Sequence, residues 1–184
     1  NRPQGNTSFF KGSLDDFRIW KRTLTPTDVD TLYRAPGFSL NDANFTTAVN
    51  LWFSDQTAAT ATYGHISDWN VSAVTNMSNA FKDRANFNED IGNWDVGKVT
   101  RMQSMFFGTP FNQDIGDWNT SSVTNMGNLF SGATAFNKSI DNWDTSAVTN
   151  MNSTFENATS FNQAIGVWDT SSVANMREMF NGAT

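Results

Sequence analysis

His65 is the only histidine of the sequence, and there is no cysteine. A zinc-type ligand set needs several His or Cys, so His65 cannot complete one, and its structural reading stands first. A Ser–His nucleophile would have to use His65, and no G-x-S-x-G elbow accompanies it. Carboxylates are plentiful, but Asp90 and Asp114 are replaced by Ser139 and Ala164 at the corresponding positions, and Asp117 by Asn142. General acid/base work needs a fixed pair, and none is implied. The expectation is therefore no catalytic residue, no enzyme and no cofactor. The metal reading is a calcium site on the acidic positions Asp95, Asp144 and Asp169. The same position holds Asn70 and Asn119, and a turn role explains Asp and Asn alike. Sequons occur at Asn6, Asn44, Asn70, Asn76, Asn119, Asn137, Asn152 and Asn157, as an Asn/Ser/Thr-rich chain produces by chance.

What positions these side chains is a repeat. Trp recurs at 69, 94, 118, 143 and 168, spaced 25, 24, 25 and 25. Ile lies three residues earlier, at Ile66, Ile91, Ile115, Ile140 and Ile165. Val lies five later, at Val74, Val99, Val123, Val148 and Val173. Met follows at Met77, Met102, Met126, Met151 and Met176, and Phe at Phe81, Phe106, Phe130, Phe155 and Phe180. A second Phe followed by Asn closes each complete unit: Phe87–Asn88, Phe111–Asn112, Phe136–Asn137 and Phe161–Asn162. The units run 66–90, 91–114, 115–139, 140–164 and 165–184.

Within a unit, "FNQDIGDW" reads as a short strand and "NTSS" or "DTSA" as a turn. "VTNMGNLFSGA" places Val, Met and Phe at i, i+3 and i+7, which predicts a two-turn helix capped by Thr124 or Asn125 and ended by Gly132. The expected fold class is α/β, a leucine-rich-repeat-like solenoid of about five strand–turn–short-helix units with strands about 4.8 Å apart. Its apolar columns form a core that no single unit could bury. The Asn ladder, Asn88, Asn112, Asn137 and Asn162, is expected to satisfy backbone groups at one corner, since an amide both donates and accepts. Positions that vary between units make a candidate binding face: Glu89, Asn93, Gln113, Asp117, Lys138, Asn142, Gln163 and Val167. Such variation suits a binding surface and an unconstrained solvent face equally.

Residues 38–65 are expected to cap the array. Phe45, Ala48, Val49 and Trp52 form one apolar stripe, predicting a helix over 42–54 started by Asn41 with Asn44 or Ser39 with Asp42. Residues 1–37 form a third region. Leu14, Phe17, Ile19 and Trp20 lie on an expected strand at 12–21, a candidate partner-binding strand because one strand cannot stand alone. "TPTDV" opens a short helix with Thr25 as N-cap, and "APGF" at 35–38 is a linker.

The chain has 184 residues and a formal charge of −6. Residues 1–36 carry +2 and the remainder −8, so the array is acidic and no nucleic-acid partner is expected. No apolar run reaches the length of a membrane span. The first residue is Asn and no signal stretch follows, which reads as a processed chain or a fragment.

The columns I-x-x-W-[DN]-[TV]-S-x-V-T-N-M-x-x-x-F-x-x-A-x-x-F-N-Q resemble the BspA-like leucine-rich-repeat surface proteins with DUF285-type 25-residue repeats, over residues 38–184. The resemblance implies a secreted or cell-surface protein engaged in adhesion and partner binding. Residues 10–36, with Gly12, Leu14, Asp15, Asp16, Phe17, Arg18, Ile19, Trp20, Arg22, Leu24 and Thr25, resemble the last strand of a concanavalin A-like, laminin-G-type sandwich whose remaining strands are not in this sequence. Three functions follow as expectations. The first is a non-enzymatic extracellular structural or adhesion module contacting surface proteins, matrix or glycans. The second is a subunit of a self-assembling filament or homo-oligomer, joined through the N-terminal strand and uncapped array ends. The third is a glycan-binding accessory module.

Overall fold

A computed structural model describes residues 39–183. The expected strand at 12–21 with Leu14, Phe17, Ile19 and Trp20, the helix opened by Thr25 and the linker at 35–38 lie outside the described residues.

The described chain begins with β1 (Ser39–Asn41), α1 (Phe45–Ser54) and α2 (Gln56–Tyr63), then a 3-10 turn at Ile66–Asp68 and β2 (Asn70–Ala73). β1 pairs in parallel with β2, Ser39 opposite Asn70 and Asn41 opposite Ala73. α1 starts with the apolar stripe at Phe45, three residues later than the capping candidates Asn41 and Ser39 suggest. Asn41 and Asn44 close a turn of their own before it: the Asn41 amide donates to Asn44 Oδ1 (2.8 Å), the Asn44 amide to the Asn41 carbonyl (3.1 Å), and the Ala43 amide to Asn41 Oδ1 (2.9 Å). Phe45, Ala48, Val49 and Trp52 are buried on one face of α1. Asp55 caps α2 through the Ala58 amide (2.9 Å), and Gly64 at φ 81° ends it.

From residue 74 onward the chain runs in coils that lie one on the next. Parallel bridges join Asn76 to Arg101, Arg101 to Asn125, Asn125 to Asn150, and Asn150 to Asn175. The backbone of each coil differs from the strand–helix grammar expected of it. Along the third coil, alternate amides leave the segment: Met126, Asn128, Phe130 and Gly132 donate to the carbonyls of Asn150, Asn152, Thr154 and Glu156 (2.7–2.9 Å). The amides between them close tight turns, Leu129 to Met126 and Ser131 to Asn128. Such turns need left-handed residues, and two columns supply them: Asn79, Ser104, Asn128, Ser153 and Glu178 (φ 52° to 60°), and Asp83, Gly108, Gly132, Asn157 and Gly182 (φ 56° to 72°). No α-helix forms there, because the amides that an i→i−4 ladder requires are already spent on the next coil. "FNQDIGDW" is likewise no strand. It is cornered by Asx turns, Gly92 on Asp90 Oδ1 and Gly116 on Asp114 Oδ1 (3.1 Å each). The bridge falls one segment later, at the residue before each Met, and is one residue long. Among the described residues no helix is long and apolar enough to cross a membrane.

The interior is a set of aromatic stacks. Phe106, Phe130, Phe155 and Phe180 follow one another at 5.5–5.7 Å with planes within 10°. Trp118, Trp143 and Trp168 do so at 6.3–6.4 Å. Offset stacking keeps each inner ring, such as Phe130 or Trp143, in contact with a neighbour on either side along the array. Two residues expected in the core are exposed: Met176 (41%) and Phe180 (47%) in the last coil. Ile165 and Val173 are only half-buried. These residues occupy the right columns, but no coil among the described residues packs over them. Ile66, Trp69, Val74, Met77, Phe81 and Phe87 of the first coil are buried, because the α1–α2 segment covers that end.

Candidate functional site

The outer surface is best read by asking which polar groups are already committed. From the second coil on, the Trp indole N–H donates to the Ile carbonyl of the preceding coil: Trp94 to Ile66 (2.9 Å), Trp118 to Ile91 (3.3 Å), Trp143 to Ile115 and Trp168 to Ile140 (3.0 Å each); Trp69 of the first coil donates to the Gly64 carbonyl (3.0 Å). A buried donor must find an acceptor, which is why this column fits Trp better than Phe. The Asn ladder works through its carbonyl oxygens. The amide of Asn112 donates to Asn88 Oδ1, that of Asn137 to Asn112 Oδ1 and that of Asn162 to Asn137 Oδ1 (2.8–3.0 Å). Side-chain oxygens thus carry the stacking across a corner where backbone carbonyls do not reach.

The sequence reading passed over three further columns. Thr75, Thr100, Thr124 and Thr149 stack by amide and hydroxyl together: Thr100, Thr124 and Thr149 each donate both groups to the preceding threonine's carbonyl. Thr120 and Thr145 stand where the first two coils have Val71 and Val96, with hydroxyls donating to the carbonyls of Asp144 and Asp169 (2.9 Å). The signal was the near-isosteric Val/Thr exchange two residues after each Trp. Met105, Leu129 and Met179 form an additional buried column next to the Phe stack.

The calcium candidates are turn residues. Asp95 Oδ1 accepts from the Gly97 amide (3.1 Å), Asp144 Oδ1 from the Ser146 amide (3.0 Å) and hydroxyl (2.6 Å), and Asp169 Oδ1 from the Ser171 amide (2.9 Å). Asn70 and Asn119 make the same turn with their amide oxygens. The serine hydroxyl first, then the serine amide, hold the Asp144 and Asp169 carboxyls below the ordinary aspartate value. Among the described residues no group of three His, Cys, Asp or Glu is placed to hold a metal ion. His65 caps the 3-10 turn through Ser67 and stands edge-on to Trp52 at 5.0 Å.

The candidate binding face divides in two. Glu89, Gln113, Lys138 and Gln163 are half-buried. Gln113 Nε2 donates to the Asn88 carbonyl (3.0 Å) and Gln163 Nε2 to Asn137 Oδ1 (2.8 Å), so both brace the Asn ladder. Asn93, Asp117, Asn142 and Val167 are exposed, Val167 to 76%. A shallow groove lined by Asp90, Gly92, Asn93, Asp114 and Asp117 lies at one end of this outer column.

Backbone amides passed from coil to coil, indole and amide ladders fixing the register, and a variable outer column together define a repeat-stack protein. The chain belongs to the family described as Mycoplasma protein of unknown function, DUF285, which matches residues 47–142 and again 107–184. No curated protein and no solved structure matches the chain.

Proposed function

We propose that this chain is a non-enzymatic module of a secreted or cell-surface protein, a leucine-rich-repeat-like solenoid that acts by contact through its outer column. The observation that carries the reading is the division of labour among polar side chains. The Asn, Thr and Trp columns are committed to holding one coil on the next and the Asx column to turns within each coil, whereas Asn93, Asp117, Asn142 and Val167 project from equivalent positions with different chemistry. A rigid frame with a variable outer row is how repeat proteins present a binding surface. The likeness of residues 10–36 to the closing strand of a laminin-G-type sandwich supports an extracellular setting. Surface proteins, matrix components and glycans are the partners that such a module would contact.

The test is a binding screen of the full chain against immobilised matrix proteins and a glycan array, repeated with Asn93→Ala, Asp117→Ala, Asn142→Ala and Val167→Ser combined. These side chains are exposed, so the combined variant should melt like the parent and lose the captured ligand by about tenfold or more. A ligand retained at full affinity by the variant would refute the assignment of this column.

A further inference from the structure

One column of the repeat breaks its own rule in the second coil. The residue before the column Met is Asn76, Asn125, Asn150 and Asn175 in four coils, and Arg101 in the second. These residues stand in register, since parallel bridges join Asn76 to Arg101 and Arg101 to Asn125. Each Asn closes a turn through its Oδ1, which accepts the amide two residues on: that of Ser78 (3.0 Å), Gly127 (3.0 Å), Asn152 (3.2 Å) and Arg177 (3.1 Å). An arginine side chain has no acceptor and cannot close that turn. The Gln103 amide accordingly finds no acceptor among the described residues. The backbone otherwise follows the other coils. Met102 donates to the Asn125 carbonyl (3.0 Å) as Met126 does to Asn150 (2.9 Å), and Ser104 keeps the left-handed φ of its column (55°). Asn125 Nδ2 reaches only Gln103 Oε1, at 3.4 Å, whereas Asn150 Nδ2 donates to Asn125 Oδ1 at 3.0 Å. Arg101 is exposed and makes no ion pair among the described residues, although residues 37–184 carry a net −8.

We infer that Arg101 and Gln103 form a binding site for a single carboxylate of a partner. One carboxylate oxygen accepts the Gln103 amide, in the place that an Asn Oδ1 takes in the other four coils. The Arg101 guanidinium holds the second oxygen and balances the charge, the planar pairing that arginine makes best. Arg101 and Gln103 are both exposed, so the ligand displaces only water. One carboxylate suits the place better than a polyanion, which the acidic array repels. A local rule broken with no gain inside the fold points to a role in contact. Arg101 lies outside the outer column of Asn93, Asp117, Asn142 and Val167, so this inference does not rest on the ligand taken there.

The experiment titrates the full, isotope-labelled chain with sodium acetate and, separately, with sodium chloride at matched ionic strength, and follows the amide chemical shifts. Acetate moves the Gln103 amide saturably and beyond chloride. It leaves the Gly127 and Asn152 amides in place, because their acceptors are inside the chain. Arg101→Asn supplies the turn oxygen from within, so its Gln103 amide is shifted before any addition and the acetate response is lost, while the remaining spectrum shows the parent fold. Arg101→Leu keeps the Gln103 amide open but removes the charge, and weakens acetate binding by about tenfold. A Gln103 response equal in acetate and chloride, or one that survives in Arg101→Asn, would overturn the inference. A stronger response to sulfate than to acetate would overturn the carboxylate assignment.

Discussion

Asp42 shows how one residue can stand in for a whole coil. In later coils the amide at the Thr column donates to the carbonyl of the preceding coil: Thr100 to Thr75 (2.8 Å), Thr124 to Thr100 and Thr149 to Thr124 (2.9 Å each). Among the described residues no coil precedes that of Thr75, and Asp42 supplies the oxygens. Oδ1 accepts from the Thr75 amide (2.8 Å) and the Asn76 amide (3.1 Å), and Oδ2 from the Thr75 hydroxyl (2.6 Å). Burial pulls this carboxyl up, but the hydroxyl and two amides outweigh it and hold the pKa below the ordinary aspartate value. A carboxyl with a lowered folded pKa contributes its stability above the unfolded value and loses it as the pH falls through that value and then the folded one. Asp42→Ala should therefore cost about 1 kcal/mol at neutral pH, as loss of a capping carboxylate does. The gap from the parent should close on acidification below about pH 4. Urea titrations of both proteins at several pH values check this, and a gap that widens in acid would contradict the assignment.

At the scale of the coil, the backbone is decided by its left-handed columns. Gly132 has φ 69°, in a column that also holds Asp83 at 58° and Asn157 at 56°. Asn and Asp tolerate this region because their short side chains bond locally, whereas β-branched residues do not. Gly132→Asn should stay within about 1 kcal/mol of the parent, and Gly132→Val should lose about 2–3 kcal/mol. Space does not decide the difference, since a Cβ there meets only Gly108 backbone atoms at 3.6 Å. Chemical denaturation gives both values, and equal losses would mean that crowding, not φ, governs the site.

Across the whole molecule, stability is carried by contacts between neighbouring coils, so cost should depend on position in the stack. Phe130 is fully buried, with Phe106 at 5.5 Å on one side and Phe155 at 5.7 Å on the other. Phe180 occupies the same column with a ring on one side only. Phe130→Ala should cost about 3–5 kcal/mol, as for a buried aromatic. Phe180→Ala should cost about 1–2 kcal/mol, because part of its surface never leaves water. Equal costs in equilibrium unfolding would argue against nearest-neighbour packing as the source of stability.

The sequence by itself determined which side chains face inward. Trp, Val, Met and Phe recur at a fixed phase, and burying them is the dominant gain, so the phase alone names the columns from Ile66 to Phe161 and the stripe of α1. It also placed the Asn ladder at a corner. The path of the backbone between those residues was decided only in the tertiary structure. Met126 and Phe130 are four apart, a spacing that suits one helical turn and also a zigzag whose every second amide reaches the next coil. A helix of two turns is marginal alone. Carbonyls about 25 residues away take the amides instead, and local spacing carries no trace of that competition. The same holds for Asp42, whose partner Thr75 lies 33 residues along the chain, and for Met176 and Phe180, whose columns fit the core but whose exposure depends on what packs over the last coil.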